Sequence, residues 1–205
     1  MMQLYLIRHG EPDWQQLGAE AQDGRAGSLA PLTALGRLQM DAIAADYRLQ
    51  EADAIISSSY TRCLESAARL SRQLNKQLFV EHALHEWLPS RTHALRTDRR
   101  LLRRAGADLR RELEGGAPAG GRPWESLSEV RARAVAALTP YAGYGSCIVL
   151  THQVVISALL GSDRPISHAE IVECVLPSPA VSTTTAGSAP GGYASRGGPD
   201  GKLDS

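Results

Sequence analysis

The chain has no excess of charge of either sign: Lys+Arg and Asp+Glu both number 22 among 205 residues. That balance removes the overall electrostatic case for a nucleic-acid or membrane-surface partner. Aromatic residues are sparse, at 5%, and they do not interleave with the arginines as a base-stacking surface requires. Cysteine is limited to Cys63, Cys147 and Cys174, odd in number, far apart and in no C-x-x-C arrangement. This excludes a disulfide framework and a cysteine-rich zinc site, and it points to a reducing compartment. No apolar run is long enough to span a bilayer, and the first residues enter a strand without the basic and apolar regions of a signal peptide. A cytoplasmic protein is expected, with a core large enough to fold without disulfides or metal.

What is present begins with Leu4-Tyr5-Leu6-Ile7-Arg8-His9-Gly10-Glu11. A short apolar run bounded by a turn signal reads as a buried strand, and open α/β sheets place their sites just past such strand ends. Gly10, without a Cβ, leaves the backbone after His9 open to close approach and to positive φ. Taken alone, the triplet Arg8-His9-Gly10 also fits a strand that merely ends in polar residues.

Residues 12–31 form a long loop rich in Gly, Gln, Asp and Ala, and loops of that length in compact domains usually border a site. Thr33 is a suitable N-cap for a helix in which Leu35, Leu38, Ala42, Ala45 and Leu49 share one face. A strand at 54–57 follows, and Ser57-Ser58-Ser59 opens a helix whose core stripe is Cys63, Ala67, Leu70 and Leu74. Arg62 then falls in the first turn, where free N–H groups favour an anion. A strand at 78–80 leads to a loop, 82–89, of mixed apolar and ionisable residues. His82, His85 and His93 lack the accompanying carboxylates or thiolates of a metal site and read as surface histidines.

Residues 91–111 carry eight arginines. Arg96, Arg99, Arg100 and Arg103 share a helical face opposite Leu95, Leu102 and Leu109. That face is either simply solvated or a basic wall that attracts an anionic substrate. Gly115 to Gly121 is a linker within the domain. Ser126 and Glu129 form a capping box for a helix with Leu127, Val130, Ala134 and Leu138 on one side, ended by Pro140. A buried strand at 147–150 stops at Thr151-His152, repeating the strand-to-histidine junction of the N-terminus, and a helix at 154–160 follows. Edge structure is expected at 171–176 and 180–182. From 183 to 205 the composition of Gly, Ser, Ala, Thr and Pro cannot repay the entropy of ordering. The expected organisation is one domain over 1–182 and a disordered tail over 183–205.

Alternating strands and helices give an α/β sheet with its strand ends clustered on one edge. His9, Arg62 and His152 all follow predicted strand ends. Arginine forks match phosphate, a neutral histidine nitrogen is a nucleophile toward phosphorus, and a nearby carboxylic acid can protonate the leaving oxygen. No metal is required by that scheme.

Arg8-His9-Gly10-Glu11, Leu32-Thr33-x-x-Gly36-x-x-Gln39, Ser57-Ser58-x-x-x-Arg62, Leu84-x-Glu86, Glu125-Ser126 and Thr151-His152 together resemble the histidine phosphatase superfamily, the phosphoglycerate-mutase-like fold, over residues 1–182. The resemblance implies a three-layer α/β/α sandwich with a mostly parallel sheet. It implies that His9 is the phosphorylated nucleophile and that Arg8, Arg62 and His152 bind the phosphoryl group. Glu86 would be the proton donor, with a raised pKa, and Glu125 is the alternative. No cofactor is implied. The chain departs from the family at Gln15, where an asparagine that contacts phosphate is usual, and Gln15 is taken as a substrate-binding candidate. It departs again at Gln153, in place of glycine, and at Trp87-Leu88-Pro89, in place of the mutase tyrosine and glycine, which favours hydrolysis. The expected activity is a metal-independent phosphatase acting on a small phosphorylated metabolite or a phosphoprotein. The alternatives are a phosphomutase and a non-catalytic phosphate-binding module. The low-complexity C-terminus further predicts that the last sheet edge is missing or altered.

Overall fold

A computed structural model describes residues 1–17, 27–91 and 98–176. Five strands form one sheet: β1 (Met2–Arg8), β2 (Ala54–Ser58), β3 (Leu78–Glu81), β4 (Ser146–Thr151) and β5 (Ile171–Leu176). Their order is β3-β2-β4-β1-β5. The first four are mutually parallel, and β5 runs antiparallel against β1 as the outer edge. The expected edge at 171–176 is therefore present, while 180–182 and the predicted tail lie outside the described residues.

Alternation along the strands sorts the core into two layers, because successive side chains leave opposite faces of a sheet. Leu4, Leu6, Ile56 and Val149 pack with Val130, Ala134 and Leu138 of α5 (Leu127–Leu138) and with Val155, Ile156 and Leu159 of α6 (Gln153–Leu160). Ile7, Ile55, Ile148 and Leu150 pack on the other side. There they meet α1 (Ala34–Ile43), α2 (Tyr47–Gln50) and α3 (Thr61–Leu74) through Met40, Leu49, Ala67 and Leu70. The three-layer α/β/α sandwich is as expected. The Ser126–Glu129 capping box forms, with both reciprocal hydrogen bonds present.

The first helix turns a different face to the core than the leucine spacing predicts. Leu35 and Leu38 are exposed at 52% and 64%, Ala42 and Ala45 are exposed, and Leu49 belongs to the separate α2. The buried positions are Gly36, Met40 and Ala44. The cause lies at the helix start. Thr33 caps it, accepting from Gly36 N–H at 2.9 Å and donating to Glu11 Oε2 at 2.7 Å. Gly36 then lies so close to the Gly10–Glu11 backbone that a Cβ built on it would stand 2.3 Å from Glu11 O. Gln39 completes the dock by accepting from Glu11 N–H at 2.9 Å. Backbone contact with the end of β1 overrides the apolar stripe and sets the helix rotation. Gly10 is needed for the same approach, its own Cβ position being 2.4 Å from Gly36 O. It is not among the residues of positive φ, so close contact alone explains it.

The arginine-rich segment forms α4 (Arg99–Leu113), capped by Asp98 and packed through Ala105. Arg99, Arg100 and Arg103 are exposed, and Arg96 and Leu95 lie outside the described residues.

Candidate active site

Four strand ends deliver the site. β1 and β4 are parallel neighbours with Arg8 opposite Thr151, so the next residues, His9 and His152, emerge side by side. His9 N–H donates to Thr151 O at 3.1 Å, and the two rings meet edge to face with centroids 5.3 Å apart. β2 ends at Ser58, and one turn later Arg62 sits buried at the start of α3. β3 passes through a short 3-10 turn, His82–Leu84, to Glu86.

Arg62 ties the histidines together and fixes their protonation pattern. Its Nε–H donates to His9 Nε2 at 3.0 Å, its Nη2 to His152 Nδ1 at 3.1 Å, and its Nη1 to Gly27 O at 2.7 Å. Arginine has no acceptor, so the nitrogens it faces carry lone pairs. His9 accordingly holds its proton on Nδ1, donating to Gly10 O at 2.7 Å, and leaves Nε2 unprotonated. His152 holds its proton on Nε2, toward Ser58 Oγ at 2.9 Å. Burial, and after it the Arg62 charge, keep both imidazoles well below the ordinary histidine range. Both are neutral at neutral pH. The Arg62 guanidinium also lies over the Trp14 and Tyr60 rings, 5.3 and 5.0 Å from their centroids.

A pocket of about 760 Å³ opens over this cluster, and Arg8, His9, Arg62, Glu86 and Gln15 line it together with Trp14 and His168. His152 is fully buried behind this lining and reaches the pocket through Arg62. Arg8 is anchored by one arm, its Nη1 donating to Gln153 Oε1 at 3.0 Å and to Ile166 O at 2.6 Å. Its Nε is buried without a hydrogen-bond partner among the described residues, a donor that an oxyanion in the pocket would satisfy. Gln153 also accepts from Ile166 N–H at 3.2 Å, so the residue found in place of the family glycine braces Arg8 and the 162–170 segment.

The two candidate acids separate cleanly. Glu86 faces the pocket, with Oε1 accepting from Trp87 N–H at 2.8 Å. Burial pushes its carboxyl above the usual range, against the opposing Trp87 N–H, Arg62, Arg8 and Arg133. Glu125 is occupied elsewhere, accepting from Arg133 Nε at 2.8 Å, Arg133 Nη2 at 3.1 Å and Leu88 N–H at 2.9 Å. Arg133 in turn donates to Ala83 O at 2.5 Å and Glu86 O at 3.3 Å. This pair, with Glu125 buried and Arg133 partly so, holds the segment that presents Glu86.

No α4 residue is among the described residues that line the pocket, so the basic wall finds no support there. His82 and His85 lie 5.1 Å apart by ring centroid, and His93 lies outside the described residues. Among the described residues, no three His, Cys, Asp or Glu side chains form a metal-binding group. Likewise no helix is long and apolar enough to cross a membrane. His168 is the pocket residue that sequence reasoning missed: nothing in the local pattern of 162–170 marks it, and only the return of the chain along β1 brings it to the site.

A doubly covered, mostly parallel sheet with an Arg-His pair at one strand end, a second histidine at the next and a buried arginine between them defines a phosphoryl site of the histidine phosphatase type. The chain belongs to the histidine phosphatase superfamily (branch 1), whose family model matches residues 4–185. A Hydrogenobacter thermophilus protein named as a candidate phosphoserine phosphatase is 34% identical over 86 residues, which are 42% of this chain and 40% of that one. The fold matches the mycobacterial glucosyl-3-phosphoglycerate phosphatase in its complex with VO3, with a TM-score of 0.60, 22% identity and coverage of 84% of this chain and 92% of that one. It also matches Bacillus stearothermophilus YhfR, with a TM-score of 0.61, 20% identity and coverage of 84% and 90%.

Proposed function

We propose that this protein is a phosphatase that hydrolyses the phosphomonoester of a small metabolite through a phosphohistidine on His9. The observation that carries the reading is the pair of His9 contacts, Nδ1 on Gly10 O and Nε2 on Arg62 Nε–H, which together assign the tautomer. With its proton committed to Gly10 O, Nε2 keeps its lone pair, which Arg62 Nε–H holds at the pocket and releases when the guanidinium turns to the phosphoryl oxygens. In the first step the Nε2–P bond forms as the ester P–O bond breaks, and Glu86 passes its proton to the leaving oxygen. Arg8 and Arg62 take the non-bridging oxygens, and their fixed charge follows the charge that the transition state redistributes. In the second step water attacks phosphorus, Glu86 takes the water proton, and the N–P bond breaks to return neutral His9. His152 acts by holding Arg62 in place.

None of these steps requires a metal, because the arginines supply the positive charge. A pocket of about 760 Å³ suits a metabolite-sized substrate. The phosphatase names of related proteins support hydrolysis, as does Trp87-Leu88-Pro89 in place of the mutase residues. A reducing, cytoplasmic setting fits three cysteines that are all free. The test is phosphate release from p-nitrophenyl phosphate in excess chelator. The wild type turns over and His9→Ala does not; equal release by both proteins, or by neither, refutes the reading.

A further inference from the structure

His168 lines the pocket but has no part in the steps above. It stands in the segment between α6 and β5, and that segment is firmly held. Ala169 adopts a φ of 59°, a left-handed conformation that disfavours a side chain by roughly 1–2 kcal/mol. Its N–H donates to Arg8 O at 2.9 Å. Ser167 N–H donates to Glu170 Oε2 at 2.7 Å, and Arg164 pairs with Glu170 at 2.5 Å. Strain held in place by surrounding bonds is common where a functional side chain must be aimed. The aimed ring is that of His168, whose centroid lies 5.6 Å from that of His9, with a 35° tilt between planes. Neither His168 nitrogen has a hydrogen-bond partner among the described residues, although the side chain is partly buried.

We propose that His168 is a phosphate-binding residue: its imidazole takes up a proton as the phosphoryl group docks, adding a third cationic donor to Arg8 and Arg62. The inference rests on the phosphoryl-transfer reading of the pocket. The groups that act on His168 are Arg8 and His9 from the end of β1, Glu11 just beyond it and Arg62 from α3, while Glu86 and Asp13 line the same pocket. Before an anion arrives, burial, Arg8 and Arg62 hold its proton affinity below the ordinary histidine value, with Glu11 opposing. The site therefore carries a neutral imidazole at pH 7. A dianion within about 4–6 Å moves such a group toward its charged form by about 1–3 pH units. The bound state is then the protonated one near neutrality, which is the range in which histidine switches.

The experiment uses sulfate, whose charge is constant between pH 5.5 and 8.5, as the probe of the full chain. Calorimetry in two buffers of different ionisation enthalpy gives affinity and protons taken up, for the wild type, His168→Asn and His168→Gln. The wild type should take up a proton on binding sulfate near pH 7, and its affinity should rise as pH falls. Both variants should lose that proton and bind about tenfold more weakly at pH 6, converging on the wild type at pH 8.5. Since His168 makes no hydrogen bond among the described residues, unchanged thermal melts are expected and guard against misfolding. Retention of the wild-type uptake and pH dependence in both variants would assign the proton to Glu86 and overturn the proposal, as would failure of the wild type to bind sulfate. Phosphate release is measured separately: its absence with proton-coupled sulfate binding intact counts against the phosphatase reading alone.

Discussion

Replacing Gly36 with alanine separates two forces of opposite sign. By helix propensity alone the change stabilises, because alanine is about 0.8–1.0 kcal/mol better than glycine within a helix. The structure gives the opposite sign. The new Cβ would sit 2.3 Å from Glu11 O and 2.8 Å from Glu11 N, both backbone atoms, where ordinary contact begins at 3.4 Å. Relief therefore requires a retreat of about 1.1 Å along the direction to Glu11 O, the difference between those two distances. No side chain can yield, so the shift falls on α1 or on the Gly10–Glu11 backbone. Overpacking of this kind costs about 1–3 kcal/mol. At roughly 2–4 °C per kcal/mol for a chain of this size, the melting temperature should fall by about 2–12 °C. Because the displaced backbone follows His9 directly, turnover should fall by up to ~10²-fold, the scale expected of a 1 Å misplacement. Urea denaturation and p-nitrophenyl phosphate turnover check the two effects. A variant as stable as the wild type, or more stable, would refute the docking argument for the Thr33-x-x-Gly36-x-x-Gln39 motif.

Glu86→Gln removes proton donation, so kcat/KM, which reports the first step alone, should fall by about 10²–10⁴-fold for an alkyl phosphate and much less for a p-nitrophenyl ester, because that leaving group needs no proton; equal losses of kcat/KM on both substrates would exclude Glu86 as the acid. Arg133→Met leaves Glu125 as an unpaired buried carboxylate and should cost about 3–5 kcal/mol in urea, much of it recovered by the double variant with Glu125→Leu. Failure of the double variant to recover would mean that the pair does more than neutralise itself. Burial and Arg62 lower the proton affinity of His9 and His152 in the folded state, so the unfolded chain binds more protons below about pH 6.5 and stability should fall from pH 7 to 5. Glu86, raised by burial, contributes with the opposite slope above the ordinary carboxylate value. The urea midpoint of Glu86→Gln should therefore exceed that of the wild type at pH 8, with the gap closing toward pH 4; a gap that is constant with pH would contradict the assignment.

The sheet was legible because its strands are short apolar runs ending in turn signals, and the α3 and α5 stripes were legible because their apolar faces turn into the two core layers that flank the sheet. The α1 face was not, since Leu35 and Leu38 carry the right period but the backbone dock at Gly36 sets the rotation. That His9, Arg8, Arg62 and His152 come together was legible because each follows a strand end closely in sequence as well as in space. His168 could not: its position depends on β5 returning antiparallel to β1, a pairing that no local signal announces. The choice between Glu86 and Glu125 was open in sequence because both flank apolar residues. The proposed preference for Glu86 rests on Arg133, eight residues beyond Glu125 and within α5, whose fork takes both Glu125 oxygens.

The proposed phosphoryl transfer would need a nucleophile without its proton and an acid with its proton at the same pH, and one physical cause provides both. Removal from water disfavours whichever form of a group is charged. For His9 that form is the imidazolium, and its pKa goes down; for Glu86 it is the carboxylate, and its pKa goes up. The two arginines then act unequally on the pair. Arg62 reinforces the effect on His9, which it touches through Nε2, and opposes it on Glu86. Burial is the largest influence on both groups. A substitution that admits water at the pocket mouth, such as Trp14→Ala beside Arg62, therefore acts on His9 and Glu86 together. Its cost should appear as a narrowing of the active pH range from both sides. A shift of the whole profile in one direction would mean that the Arg62 charge, and not burial, governs the site.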